Sequence, residues 1–327
     1  MNDSVCAVVV TYNRKNLLIE CLEALQKQTR PVQGIYLIDN ASTDGTPDLL
    51  LEKGYINELP PKSLSEPWEK EFEIKNLTDG NPIRLHYVRM HENTGGAGGF
   101  HEGVKRAYEK RYDWLWLMDD DVEPVPNAIE ILFNYTYISR CIHPRKVYED
   151  GNKFFWEYDI ISRFPKEIDM KNISFEVYGK KWICVNYGCF EGMFIHRDIV
   201  SKIGFPDRIF FMVGDDTLYG FKANLYTNVI YINEILLIRK KTGSNYNKKK
   251  RKKLIIYLNT RNKILLYKEI NKLIKGYIPL SRFVFNLSRI ILKQTLRFIL
   301  KFNFVRLYWL YKGLLDGLMN KFDKRVL

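Results

Sequence analysis

Apolar residues fall into short runs that alternate between two patterns along the first two-thirds of the chain. Val5-Cys6-Ala7-Val8-Val9-Val10 is unbroken, valine-rich and too brief for a core helix, so it predicts a strand buried on both faces. Leu18, Cys21, Leu22 and Leu25 then recur at the spacing of one helical face between Asn16 and Gln28. Ile35 to Ile38 predicts a second strand that stops at Asp39-Asn40-Ala41-Ser42-Thr43-Asp44-Gly45. Ile83 to Val88 alternates as a third strand should. A helix is expected over residues 97–110, and Trp114 to Met118 predicts a fourth strand running into Asp119-Asp120-Asp121. Pro60 to Asp79 is polar, proline-punctuated and weakly periodic, which reads as a surface insertion. Strands alternating with helices predict an α/β fold with a mostly parallel sheet. In such sheets ligands gather at the carboxyl ends of strands, and here those ends carry Thr11 to Arg14, Asp39-Asn40 and the aspartate triplet.

Charge divides the chain in two. Residues 239–327 carry 24 Lys and Arg against three acids, a net charge of +21, which leaves −8 on the first 238 residues. That shift predicts a catalytic or binding body over 1–238 and a basic appendage over 239–327. With 46% hydrophobic residues, wholesale disorder is excluded. Five scattered cysteines without a CxxC pair speak against a zinc ribbon or a secreted disulfide framework and for a reducing compartment. The N-terminal region has no basic residue before Arg14 and only a short apolar run, so no signal peptide is expected.

Three adjacent carboxylates at the end of an apolar strand repel one another unless a cation neutralises them. A turn there would let Asp119 and Asp121 share a Mg²⁺ or Mn²⁺, which is held by one or two carboxylates and leaves positions for phosphate oxygens; a solvated acidic turn is the plain alternative. Asn93-Thr94-Gly95-Gly96-Ala97-Gly98-Gly99-Phe100 would allow close backbone approach to a phosphate or sugar at a helix start, or be a structural turn. It is neither a Rossmann fingerprint, since His101 stands at the third glycine position, nor a Walker A loop.

Together, Val9 to Arg14, Ile38 to Thr46, Asn93 to Phe100 and the triplet resemble inverting family 2 glycosyltransferases with the GT-A fold. The glycine-rich loop with the triple aspartate is most similar to the branch of galactofuranosyl- and rhamnosyltransferases. The resemblance covers about residues 4–238 and implies a nucleotide sugar donor, UDP- or dTDP-linked. It implies that Thr11 and Arg14 contact the nucleotide base, that Asp39 accepts the base imide N–H, and that Asn93, Gly95 and Gly96 border the donor. Asp120 would contact ribose or the donor sugar, while Asp119 and Asp121 would hold the divalent metal. The stretch Ile209 to Gly220 looks like the family's acidic motif opening a helix, which gives Asp216 the role of base toward the acceptor hydroxyl and Asp215 a supporting one; an N-cap is the plain alternative. Glu191 and Gly192 lie in the segment that lines the acceptor pocket in relatives. His196 is expected to be a satisfied strand histidine.

Two departures stand out. The strand Val229 to Ile238 ends in Arg239-Lys240-Lys241, and there is no histidine after His196 to ligate a metal, so another residue, water, or a basic side chain acting directly on the diphosphate must serve. Lys222 stands where relatives carry an arginine. Tyr257 to Asn262 keeps an Arg-Asn pair found in this branch without an evident role.

Beyond Lys248 a six-residue basic run leads into aromatic-rich helical sequence. Arg289, Lys293, Arg297 and Lys301 recur every fourth residue beside Ile290, Leu296 and Ile299. Basic residues interrupt every apolar stretch, so a spanning helix is not expected. The pattern predicts helices lying on an anionic membrane surface at the cytoplasmic face, presenting a lipid-linked glycan acceptor to the body. Binding to nucleic acid through this patch and simple packing on the body are the rivals, and the acidic body argues against a nucleic-acid partner. If the tail only presents lipid-linked acceptor, truncation at Lys248 should spare activity on a short soluble one.

Overall fold

The computed structural model describes residues 3–154, 157–160, 170–173, 176–240 and 248–324. The first half runs β1 (Val5–Thr11), α1 (Lys15–Gln26), β2 (Gly34–Asp39), α2 (Thr46–Glu52), β3 (Trp68–Lys75), β4 (Pro82–Arg89), α3 (Gly95–Glu109), β5 (Trp114–Asp119), β6 (Val122–Pro124), α4 (Ala128–Phe133) and β7 (Cys141–Tyr148). The second comprises β8 (Tyr158–Ile160), β9 (Met170–Asn172), β10 (Trp182–Val185), β11 (Phe194–His196), α5 (Arg197–Ile203), a 3-10 turn at Arg208–Phe210, α6 (Asp215–Ala223) and β12 (Val229–Arg239). Three long helices complete the chain: α7 (Lys248–Leu273), α8 (Leu280–Leu300) and α9 (Phe304–Met319). The side chains of residues 248–251, most of the basic run, lie outside the described residues, as does Lys241.

Nine strands line up in the order β10-β12-β7-β11-β5-β1-β2-β4-β3, with β6 branching onto β12; β8 and β9 pair separately. The centre, β5-β1-β2-β4, is parallel throughout. β1 shows why its sequence is unbroken: Val5, Ala7 and Val9 enter the core beneath α1, while Cys6, Val8 and Val10 enter the core beneath α3. Close packing of α3 depends on glycine, because a Cβ at Gly103 would come within 2.3 Å of the Val8 side chain.

Registers put strand ends side by side. Thr11 pairs with Asp39, Asp39 with Arg89, and Val10 with Asp119. The short β6 folds back antiparallel to β12 so that Arg239 lies opposite Val122, immediately after the aspartate triplet. Register alone therefore delivers the basic end of β12 to the acidic end of β5.

The supposed surface insertion contains a strand. β3 pairs antiparallel with β4 along the sheet edge and buries Phe72 and Ile74. Its outward Glu69, Glu71 and Glu73, with Lys70 and Lys75, gave the segment a loop-like polarity, although charged residues are how an edge strand avoids further pairing. Helix α3 also begins earlier than periodicity indicated, at the glycines themselves.

Candidate active site

The loops after β1 and β2 are locked together. Asn13, at φ +55, donates its backbone N–H to Ser42 Oγ (3.0 Å) and accepts from the Thr43 N–H through Oδ1 (2.6 Å). Asp39 is fully buried: Oδ1 accepts from the Ser42 N–H (2.8 Å), and Oδ2 accepts from Tyr87 (2.9 Å) and Arg89 (2.5 Å). Both carboxylate oxygens thus have partners within the protein, and Arg89, which sequence reasoning passed over, supplies the neutralising charge. Its only sequence signal is an arginine ending an alternating strand.

Asn40 joins this layer to the glycine turn. Its side chain donates to the Gly95 carbonyl (2.8 Å) and accepts from the Thr94 N–H (2.9 Å). Asn93 accepts from the Gly95 N–H (2.9 Å). Gly95 has φ +72 and lies against the Phe211 carbonyl, while Gly96 faces open space. Of the three residues expected to border the donor, Asn93 and Gly95 shape the turn and Gly96 lies open beside it.

The aspartate triplet splits by environment. Asp119, the last residue of β5, is about one-third exposed, with Arg239 Nη1 at 3.7 Å. Asp120 is fully buried, accepts from Thr11 Oγ1 (2.7 Å) and has Arg14 Nε at 3.0 Å. Burial lifts its pKa to about 7 against the pull of Arg14, with Asp121 adding to the rise. Asp121 is ion-paired to Arg14 and, at 2.9 Å, to Arg239. Arg239 also pairs with the buried Glu191. Thr11 and Arg14 therefore contact aspartates of the triplet, a role that their sequence position did not announce.

Charge at this centre is unbalanced. Asp119, Asp120, Asp121 and Glu191 stand against Arg14 and Arg239 alone in direct ion-pair contact among the described residues. Burial raises the carboxyl pKa of Asp120, Asp121 and Glu191, and the buried Lys146 acts on Glu191 beside Arg239, so this acid-rich cluster would gain from a further cation. Asp121 Oδ1 and Glu191 Oε1 are buried and lack hydrogen-bond partners, as expected of atoms that meet a cation or ligand. No group of three or more metal-ligating side chains converges among the described residues. The donor set suits a hard cation held by Asp119 and Asp121 and completed by other oxygens, not an all-protein cage.

Of the residues expected on the acceptor side, Glu191 joins this centre through Arg239. Gly192, at φ +93, donates its N–H to the Leu117 carbonyl (2.8 Å) and packs on Leu237, which fixes the loop before β11 on β5. The buried Lys146 donates to the Glu191 carbonyl (2.6 Å) and to Cys189 Sγ (2.8 Å), with Glu157 at 3.6 Å. No motif marked Lys146, because its partners are set by folding alone. Asp215 and Asp216 open α6, where backbone N–H groups and the helix dipole favour negative charge. Burial raises both carboxyl pKa values; Asp216 adds to the rise at Asp215, and the Thr217 N–H (2.7 Å) opposes it at Asp216. Asp119 acts electrostatically on both, so the two acidic groups lie within range of each other's charge. His196, as expected, is satisfied structurally: its Nδ1 caps α5 by accepting from the Asp198 N–H (3.2 Å).

The profile of glycosyl transferase family 2 matches residues 6–57 and 70–204, which carry every strand of the parallel centre and the triplet. The chain belongs to glycosyl transferase family 2. Galactofuranosyltransferase GlfT1 of Mycolicibacterium smegmatis is 31% identical over 224 residues, covering 65% of this chain and 62% of that protein. GlfT1 of Mycobacterium tuberculosis is 32% identical over 121 residues, 37% of this chain and 31% of that one. The chain thus spans less than two-thirds of these relatives. Among solved structures, Staphylococcus aureus TarS aligns over 99% of this chain and 50% of its own at TM-score 0.52 and 14% identity. The mannosyltransferase PcManGT of Pyrobaculum calidifontis, solved with GDP-Man and Mn²⁺, aligns over 98% of this chain and 89% of its own at TM-score 0.50 and 14% identity. At such identities the likeness speaks for the fold: this is the GT-A arrangement, a mostly parallel sheet flanked by helices, with further helices at the C-terminal end.

Proposed function

We propose that this chain is an inverting glycosyltransferase that moves galactofuranose from UDP-galactofuranose to a lipid-linked glycan in the synthesis of a bacterial surface polysaccharide. The observation that carries the reading is the placing of two acidic groups at element ends, Asp119 to Asp121 at the end of β5 and Asp215-Asp216 at the start of α6, near enough for Asp119 to raise the carboxyl pKa of both Asp215 and Asp216. The first suits a nucleoside diphosphate and its cation, and the second suits a hydroxyl that must lose a proton. The family match and the GlfT1 relatives support the sugar.

In this mechanism Asp216 takes the acceptor proton as the hydroxyl attacks the anomeric carbon, and the nucleoside diphosphate leaves on the opposite face. Burial raises the Asp216 pKa, so kcat/KM should decline on acidification from above the ordinary carboxylate range. Asp215 and Glu191 orient the acceptor, with Gly192 shaping the loop beneath it. Thr11 and Arg14 set the orientation of Asp120 and Asp121, and Arg239 offers positive charge to the departing diphosphate where relatives have a histidine. Mg²⁺ or Mn²⁺, held by Asp119 and Asp121, would neutralise the same leaving group; Mn²⁺ is present in the PcManGT complex.

We also read the C-terminal helices as the membrane contact, on the cytoplasmic face. Phe285, Leu292, Leu296 and Ile299 are exposed at helical spacing along α8, flanked by the exposed Arg289, Lys293 and Arg297. Among the described residues no helix is long and apolar enough to cross a membrane, and the mixed face suits the headgroup region.

The test is nucleoside diphosphate release from a panel of nucleotide sugars, with a synthetic galactofuranoside acceptor and with Mn²⁺, Mg²⁺ or chelator. UDP release from UDP-galactofuranose that collapses with chelator is expected. dTDP release from dTDP-rhamnose would move the assignment to the rhamnosyl branch, and no release from any donor would overturn it.

A further inference from the structure

The loop that precedes the two acidic residues of α6 is held in a conformation its own sequence disfavours. Phe211 has φ +65 and Val213 φ +70, and Gly214 adds a third positive φ at +95. A β-branched residue in the left-handed region is an outlier that persists only where its surroundings impose it.

The surroundings come from the C-terminal helices. Asn262 on α7, 2% exposed, donates through one side-chain amide to the carbonyls of Phe210 (3.0 Å), Met212 (2.7 Å) and Val213 (2.8 Å). Two N–H groups serving three carbonyls require at least one shared bond, which ties the backbone of this loop to one point. Arg261, completely buried, donates to the Ile209 carbonyl (2.7 Å), to the Lys321 carbonyl and to Asn262 Oδ1 (2.6 Å). Among the described residues its hydrogen bonds all end on carbonyl oxygens and none on a carboxylate, a costly use of a buried cation. Phe322 stacks on Phe211 at 5.1 Å with the Arg261 guanidinium 5.2 Å from its ring. From the opposite side the Ala97 N–H donates to the Phe211 carbonyl (3.0 Å), so the glycine turn leans on the same loop.

We propose that Arg261 and Asn262 are positioning residues: they impose the left-handed loop 209–214 and thereby fix the aim of the Asp215-Asp216 carboxylates toward the acceptor. The pair acts through backbone and touches no reacting atom. The inference rests on the reading of Asp216 as the base, and it extends that reading by making the catalytic geometry depend on a helix beyond the family match.

Two readouts on Asn262→Ala and Asn262→Gln test it. Hydrogen exchange of the 209–217 segment reports the loop whatever sugar is transferred, while UDP release from UDP-galactofuranose with a soluble galactofuranoside acceptor reports the base. Asn262→Ala should speed exchange in that segment at least tenfold and lower kcat at least 50-fold, with the calorimetric Kd for UDP within threefold of wild type. Asn262→Gln, which keeps both donors, should recover a substantial part of kcat. Unchanged exchange in Asn262→Ala, or loss of UDP binding in step with kcat, would overturn the positioning role. Faster exchange with kcat intact would also overturn the positioning role, whereas kcat retained in Asp216→Asn would overturn the assignment of the base on which the proposal rests. Should Asn262→Ala prove insoluble, Asn262→Ser, which keeps a single donor, carries the same comparison against Asn262→Gln.

Discussion

Arg239 concentrates much of the chemistry of this site in one side chain. It pairs with Asp121 and Glu191, stands 3.7 Å from Asp119, and has its charge held firmly by those acids against the penalty of burial. The aspartate triplet was legible in the sequence because its members are contiguous. The absence of a histidine after the strand was legible too, but Arg239's partners were not, since they are fixed by the pairing of β6 with β12 between positions more than a hundred residues apart. His143 gives a clean residue-scale prediction. Burial, assisted by Lys146, lowers its pKa to about 3, far below its value in the unfolded chain. Between those two values the unfolded chain binds the extra proton, so stability falls as pH falls, by at most about 1.4 kcal/mol per pH unit. His86, His101 and His196 are depressed by burial as well and steepen the same trend. Urea unfolding of His143→Gln between pH 6 and 4 should show a pH slope shallower by about one proton than wild type, and identical slopes would contradict the buried neutral histidine.

Elements were readable where one face repeats and unreadable where polarity disguised the repeat. Of the four central parallel strands, β1, β2 and β5 announced themselves through apolar runs and β4 through alternation, whereas β3 hid among glutamates and lysines. The glycine cluster announced a turn, but its role became clear only with Phe211 beside it. A Cβ at Gly95 would stand 2.0 Å from the Phe211 carbonyl oxygen, at a φ of +72 that side chains rarely adopt. Gly95→Ala must therefore move either the start of α3 or the loop before α6, and each carries part of the site. The substitution should cost about 2–4 kcal/mol in denaturant unfolding. A cost below about 0.5 kcal/mol would mean that the turn yields without strain.

At the scale of the whole chain, the charge division near Arg239 was visible in composition, but the dependence of the body on the C-terminal helices was not. Helix α7 lies on α6 and on the 3-10 turn at Arg208–Phe210, and α7 packs along α9, so the basic helices support the elements that carry Asp215 and Asp216. Truncation at Lys248 removes Arg261 and Asn262 and should abolish transfer even to a short soluble acceptor, contrary to the expectation for a tail that only presents lipid. Membrane binding calls for milder changes. Replacing Phe285, Leu292 and Leu296 together by Ser should sharply reduce sedimentation with anionic vesicles, and salt should weaken wild-type binding only in part, since charge attraction is screened and apolar insertion is not. Equal binding of wild type to neutral and anionic vesicles would contradict the electrostatic share. The proposed catalysis turns on Asp216, and comparing transfer by Asp216→Asn with wild type at saturating UDP-galactofuranose, alongside the UDP Kd of each, tests it most directly. The expected result is a kcat lower by at least about 10²-fold with donor affinity within threefold; a variant that keeps most of the wild-type kcat would contradict it.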